Sequence, residues 1–126
     1  MDKIAKKILI IDDEGDLLRL VRTRLEASGY KVSTLESGDK AVESVKFDRP
    51  DLILLDMVMP GKSGSIVCKE LKADPVTRNI PVVVFTAQYL EEESLKIASE
   101  EYGADDHILK PYDANVLLAK IKALIK

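Results

Sequence analysis

Five short apolar runs, each closed by a polar residue, constrain the fold of this chain more than any other feature. They occupy residues 7–12 (KILIID), 31–35 (KVSTL), 52–56 (LILLD), 81–86 (PVVVFT) and 107–110 (HILK). The first, third and fourth are almost unbroken Ile, Leu and Val. Strands read that way when both faces of a parallel sheet are covered by helices. The second and fifth are shorter in apolar residues and more polar, as edge strands are.

Helical patterns lie between the runs. Leu17, Val21 and Leu25 recur every fourth residue, with Leu20 on the same stripe. Asp16 is placed to cap that helix, and Gly29 lies just past its end. Ala41, Val42 and Val45 form a second stripe. Val67, Cys68 and Leu71 form a third, stopped at Asp74-Pro75 because proline disfavours a helical residue before it. Leu95, Ala98 and Tyr102 form a fourth, followed by Gly103, and Glu91, Glu92 and Glu93 stand where a helix start favours negative charge. Leu117, Ile121 and Leu124 form the last, with Asp113 as its N-cap. Strands alternating with helices predict an α/β fold. The pattern is a doubly wound (βα)5 unit with a five-stranded parallel sheet, right-handed crossovers and helices on both faces.

The length of 126 residues suits one domain spanning 1–126, and no repeat or linker divides it. Composition removes several function classes. With 46% hydrophobic and 33% charged residues the balance is globular rather than disordered. A formal net charge of −3 gives no footprint for direct nucleic-acid binding. The single cysteine, Cys68, cannot form an internal disulfide and suits a reducing compartment, where it reads as a small apolar residue on a helix face. The basic start is followed by only four apolar residues before Asp12, too few for a signal peptide or a membrane span. The chain reads as soluble and cytoplasmic, with no membrane partner.

In an open α/β sheet, ligands bind beyond the carboxyl ends of the strands. The first run ends in Asp12-Asp13, the third in Asp56, the fourth in Thr86 and the fifth in Lys110. The second ends in Glu36-Ser37, which adds nothing evident. Three carboxylates against one amine leave two negative charges, and one divalent cation cancels them. Mg²⁺ suits such a site because it takes a few carboxylates, keeps waters and accepts phosphate oxygens. Zn²⁺ does not, because the sole histidine is His107 and the sole cysteine Cys68. A carboxylate is ionised at neutral pH and attacks phosphorus without a general base. Phosphoryl transfer then needs chiefly alignment and neutralisation of the peripheral oxygens, for which Lys110, the Thr86 hydroxyl and the metal are suited. Asp56 closes the central run and is the best nucleophile, which leaves Asp12 and Asp13 to the metal.

These pieces (IDDE at Asp12-Asp13, DLILLDMVMPGKSG around Asp56, VVFTA at Thr86 and GADDHILKP at Lys110) resemble a response-regulator receiver domain, of the kind seen in the stand-alone chemotaxis regulator. The likeness runs from Lys7 to Lys126. Each motif alone is weak, and four in this order at strand ends are specific. The resemblance implies a flavodoxin-like sheet of order 2-1-3-4-5. It implies that Asp12 or Asp13, with Asp56 and the backbone carbonyl of Val58, binds Mg²⁺. It implies a cis peptide at Lys110-Pro111 that aims the lysine. The phosphoryl donor would be a phosphohistidine on a sensor histidine kinase or phosphotransfer protein, with small acyl phosphates as substitutes. Output would pass through the face made by the fourth helix, the fifth strand and the last helix to a downstream protein, and a phosphorylation-dependent dimer fits the same scheme.

Two positions depart from the family pattern. His107 stands where a Tyr or Phe often serves as a rotamer switch coupled to Thr86. Val58 and Gln88 flank the approach of attacking water, and an apolar Val58 cannot orient it, so slow self-dephosphorylation is expected. Met57 and Met59 read as loop packing beside the site, and Pro60-Gly61 as a turn.

Other functions fit less well. A flavodoxin-like electron carrier needs a Ser/Thr/Gly-rich loop after the first strand, and DDEGD would repel phosphate there. A phosphohydrolase with an aspartyl nucleophile follows the pattern DxDx[TV], whose second aspartate acts as acid; Val58 occupies that position. No GxxxxGK[ST] loop is present. A degenerate receiver used only for protein binding is the nearest alternative, and the intact Asp12, Asp13, Asp56, Thr86 and Lys110 argue against it.

Overall fold

The computed structural model describes residues 5–87, 103–110 and 113–125. The strands are β1 (Lys7–Ile11), β2 (Lys31–Leu35), β3 (Leu52–Asp56), β4 (Val82–Ala87) and β5 (Asp106–Lys110). The described helices are α1 (Gly15–Ala27), α2 (Ala41–Asp48), α3 (Gly64–Ala73) and α4 (Ala114–Leu124). All four strand pairings are parallel and the sheet order is β2-β1-β3-β4-β5. The expected topology and the expected edges, β2 and β5, are both observed. The helix expected around Leu95, Ala98 and Tyr102, with Glu91–93, lies outside the described residues.

Period-two alternation sends successive strand residues to opposite faces. Leu9, Ile11, Ile53, Leu55, Val82 and Val84 pack against Ala41 and Val45 of α2 and Val67, Cys68 and Leu71 of α3. Ile8, Ile10, Leu52, Leu54, Val83 and Phe85 pack against Leu18, Val21 and Leu25 of α1 and Leu117 and Ile121 of α4. All five residues of β3 are buried, because it is the central strand and both of its faces are covered. Burial pushes the Cys68 thiol up to about 11, so it is a protonated core residue, as its place on the α3 stripe predicts.

Two expectations for α1 need correction. Its buried stripe is Leu18, Val21 and Leu25; Leu20 is exposed and Leu17 only borders the core. Its N-cap is Glu14, without a side-chain cap bond, and Asp16 sits in the first turn. The amide of Leu18 donates to the Glu14 carbonyl at 3.0 Å, so the helix begins two residues earlier than a cap at Asp16 requires. The remaining punctuation is as expected. Gly29 has φ +96° beyond α1, α3 stops at an extended Asp74, and the Asp113 carboxylate accepts the Asn115 and Val116 amides.

The amino ends of β4 and β5 are held by a polar clamp. Lys72 on α3 donates from Nζ to the carbonyls of Ile80 (2.9 Å) and Arg78 (3.2 Å) and to Asp105 Oδ2 (2.8 Å). The same Asp105 oxygen accepts the Val82 amide at 2.8 Å. Nearby, the buried Thr77 hydroxyl donates to the Leu71 carbonyl at 2.6 Å and satisfies a helix-end acceptor. Thr77→Val keeps the shape and leaves that acceptor without its hydroxyl donor. It should lower stability by about 1–2 kcal/mol, read as a reduced urea midpoint at constant m-value.

At the start of β5, burial pushes the Asp106 carboxyl up. The Lys120 ammonium at 2.9 Å and the His107 amide at 2.8 Å outweigh burial and hold it below the ordinary carboxylate range. The folded value is therefore lower than the unfolded one. The interaction contributes stability above the unfolded carboxylate range and loses it as pH falls through the folded value. Asp106→Asn should cost less than about 1 kcal/mol near neutral pH, since both side chains are partly exposed. The difference from wild type should shrink as pH falls below the ordinary carboxylate range and vanish below the lowered folded value in chemical denaturation series.

Candidate functional site

The acidic residues converge because of strand register. Ile11 of β1 pairs with Leu55 of β3, so the next residues, Asp12 and Asp56, face each other at the carboxyl edge of adjacent strands. Asp12 continues the alternation of Ile8 and Ile10, and Asp56 that of Leu52 and Leu54, so both belong to the same face of the sheet. Neighbouring strands run about 4.8 Å apart. One carboxylate oxygen each from Asp12, Asp13 and Asp56 lie within 4.8 Å of one another. Asp12 and Asp56 are buried, while Asp13 is exposed and faces solvent.

The local bonds fix two of these acids. Asp12 Oδ1 accepts the Glu14 amide at 3.0 Å, so Asp12 both shapes the turn into α1 and joins the acidic cluster. Asp56 Oδ1 accepts the Val58 amide at 3.2 Å, which holds Val58 beside the carboxylate. Val58 is 64% exposed and brings an apolar side chain to the rim. Met59 is buried in the core and Met57 packs against it, as their role in loop packing predicts. Gly61 has φ +74° in the turn after Pro60.

Thr86 stands one residue beyond Phe85, the partner of Asp56, and pairs through its backbone with Leu109. Lys110 pairs with Ala87. The backbones of Thr86 and Lys110 thus reach the same end of the sheet as the three acids. The Lys110-Pro111 peptide and Gln88 lie outside the described residues. His107 pairs with Val84, two residues before the Thr86–Leu109 pair. Its ring is partly exposed, 4.0 Å from Asp106 Oδ1, and lines a cleft with Ile108, Asp113, Val116 and Lys120.

Gly64, the last residue of the DLILLDMVMPGKSG motif, has a role that no local pattern signals. As the first residue of α3 it passes so near β3 that a Cβ there would lie 2.7 Å from Met57 Cα, with the Asp56 carbonyl oxygen nearer still. Its amide donates to the Met57 carbonyl at 3.1 Å. Ser63, also unremarked in sequence, caps α3 through the Ile66 amide.

The donor set is oxygen throughout and clustered, which fits a hard cation such as Mg²⁺. Asp12, Asp13 and Asp56 would hold it. Like charges within 4.8 Å repel by between about 1 kcal/mol at the dielectric of bulk water and about 3–4 kcal/mol at the effective dielectric of a protein surface.

The chain matches the family described as "Response regulator receiver domain" over residues 8–122. It is 42% identical over 123 residues to the response regulator PleD of Caulobacter vibrioides, covering 98% of this chain and 27% of that protein. It is 39% identical over 123 residues to the phosphate regulon transcriptional regulatory protein PhoB of Pseudomonas aeruginosa, covering 98% of this chain and 53% of that one. Among solved structures, the signal receiver domain of a signal transduction histidine kinase from Syntrophus aciditrophicus superposes with a TM-score of 0.87 at 36% identity, covering 96% of this chain and 90% of that one. The protein belongs to the response-regulator receiver family. It spans about half the length of PhoB and about a quarter of PleD.

The clustered charge makes a stability prediction of its own. Asp13→Asn removes one of three mutually repelling carboxylates at an exposed position. It should stabilise the protein by about 1 kcal/mol in chelator-containing buffer. Adding Mg²⁺ should raise the denaturation midpoint of the wild type more than that of the variant.

Proposed function

We propose that this receiver domain accepts one phosphoryl group on Asp56 in a Mg²⁺-dependent reaction and switches a protein-binding face in response. The observation that carries this reading is the convergence of Asp12, Asp13 and Asp56 at the carboxyl edge of the sheet. Bound Mg²⁺ would supply charge neutralisation for the acids and the phosphoryl oxygens. Asp12 and Asp13 would hold the cation with Asp56, and the Val58 carbonyl would be the further oxygen implied by family likeness.

Asp56 is the nucleophile. Its Oδ1 is oriented by the Val58 amide. A carboxylate oxygen forms the new O–P bond as the P–N bond of a donor phosphohistidine breaks, and the electron pair of that bond goes to the imidazole nitrogen. The donor belongs to a sensor histidine kinase or phosphotransfer protein, and acetyl phosphate is a small substitute. Lys110 pairs with a phosphoryl oxygen, and a cis Lys110-Pro111 peptide aims it. The Thr86 hydroxyl reaches another oxygen. The domain catalyses only its own phosphorylation and dephosphorylation and turns over no other substrate.

Output follows from a shift between two states. Moving a 1:99 population to 99:1 takes about 5.5 kcal/mol of differential stabilisation. A dianionic group meeting Lys110, Thr86 and the cation in a partly dry site is of that order. Thr86 moves toward the phosphoryl group, His107 reorients, and the face built by the residues after β4, by β5 and by α4 becomes readable to a downstream protein or a second receiver. No described helix is long and apolar enough to cross a membrane. Use as a binding module without phosphorylation is the competing reading.

Incubation with acetyl phosphate should add one phosphoryl group by intact-protein mass spectrometry, dependent on Mg²⁺ and absent in Asp56→Asn. A wild type that gains nothing from acetyl phosphate, and does not bind beryllofluoride either, would favour the binding-module reading. Thr86→Ala should retain phosphorylation and weaken partner binding. With apolar Val58 at the rim, the phosphoryl group on purified protein should persist well beyond seconds; loss within seconds would remove the argument from Val58.

A further inference from the structure

We propose that Gly64 is a positioning residue for Asp56: by bringing the first turn of α3 against the β3 terminus without a side chain, it sets the peptide geometry on which the acidic pocket depends. This inference rests on the proposed Mg²⁺ and phosphoacceptor reading of that pocket. Three observations support it. A Cβ at Gly64 would lie 2.7 Å from Met57 Cα and 2.8 Å from the Asp56 carbonyl carbon. These are backbone atoms, so no rotamer change relieves the overlap. The Gly64 amide already donates to the Met57 carbonyl, closing the loop of residues 57–63 at its two ends. Finally, α3 cannot readily back away, because Val67, Cys68 and Leu71 are fully buried.

The peptide after Asp56 is the element left to yield. Met57 makes the last backbone bond to β4, with its amide donating to the Phe85 carbonyl at 3.2 Å, and Val58 beyond it is exposed. Rotating this peptide turns the Asp56 side chain and breaks the Val58 amide bond to Oδ1. By contrast, a Cβ at Gly38 would meet a side-chain methyl of Val67 first, at 2.6 Å, with the Lys62 carbonyl oxygen at 3.0 Å, and its nearest neighbours include neither Asp56 nor Met57. Helix propensity alone favours alanine over glycine at position 64. Propensity and close approach therefore predict opposite outcomes for the same substitution.

The test compares Gly64→Ala with Val45→Ala, a truncation on α2 in the same core cluster that serves as a control for lost stability. Mg²⁺ is titrated into each protein and followed by amide NMR, and the Val58 amide is also recorded in metal-free protein. Gly64→Ala should weaken Mg²⁺ binding by about tenfold to a hundredfold, the range for lost support of metal ligands. It should also move the metal-free Val58 resonance. Val45→Ala should leave both unchanged. Should Gly64→Ala unfold in plain buffer, trimethylamine N-oxide is added to all samples to restore the compact state. Wild-type affinity in Gly64→Ala, or equal weakening in Val45→Ala, overturns the proposal. A wild type that binds no Mg²⁺ overturns the pocket's metal reading instead, and the metal-free Val58 resonance still decides Gly64: unmoved, it overturns the positioning role.

Discussion

The pairing of β1 with β3 underlies everything else at the carboxyl edge of the sheet. With Ile11 opposite Leu55, Asp12 and Asp56 become neighbours on one face of adjacent strands. A register slip of one residue would send either acid to the other face and scatter the cluster. What prevents the slip is burial: Ile8, Ile10, Leu52 and Leu54 face one core, and Leu9, Ile11, Ile53 and Leu55 the other. The same apolar residues that drive folding thus fix where the charges meet.

That arrangement costs stability at one end of the sheet and is offset elsewhere. Three carboxylates held together repel, yet Asp12 and Asp56 are each tied by a backbone amide from two residues on. At the opposite end, Lys72 gathers the carbonyls of Arg78 and Ile80 and the Asp105 carboxylate, and Thr77 closes α3. The carboxyl end of the sheet gathers three acids, while the opposite end pairs Lys72 with Asp105.

The β3–α3 connection joins these two regimes. Met59 anchors it in the core, Gly61 turns it with positive φ, Ser63 caps the helix and Gly64 seats that helix against the nucleophile's own peptide. Val58, Pro60 and Gly61 are exposed in this stretch, so packing fixes it through Met59 and at the start of α3 while Val58 meets solvent beside Asp56.

Much of this was legible in the sequence because strand and helix periods are local properties. Both edges, the central strand and the caps at Asp113 and Asp74 follow from residues within one turn or one strand of each other, and the acid cluster follows once strand ends are aligned. The order 2-1-3-4-5 came from family likeness, since periodicity does not rank strands. Tertiary structure decided the rest. Leu17, Leu18 and Leu20 share one turn of α1, and only the position of the sheet selects Leu18 for burial. The start of that helix moved from Asp16 to Glu14 because Leu18 bonds back to the Glu14 carbonyl. Gly64 looked like any glycine after a serine. Its constraint comes from backbone eight residues earlier in the chain, and a contact of that kind exists only once α3 has packed onto β3.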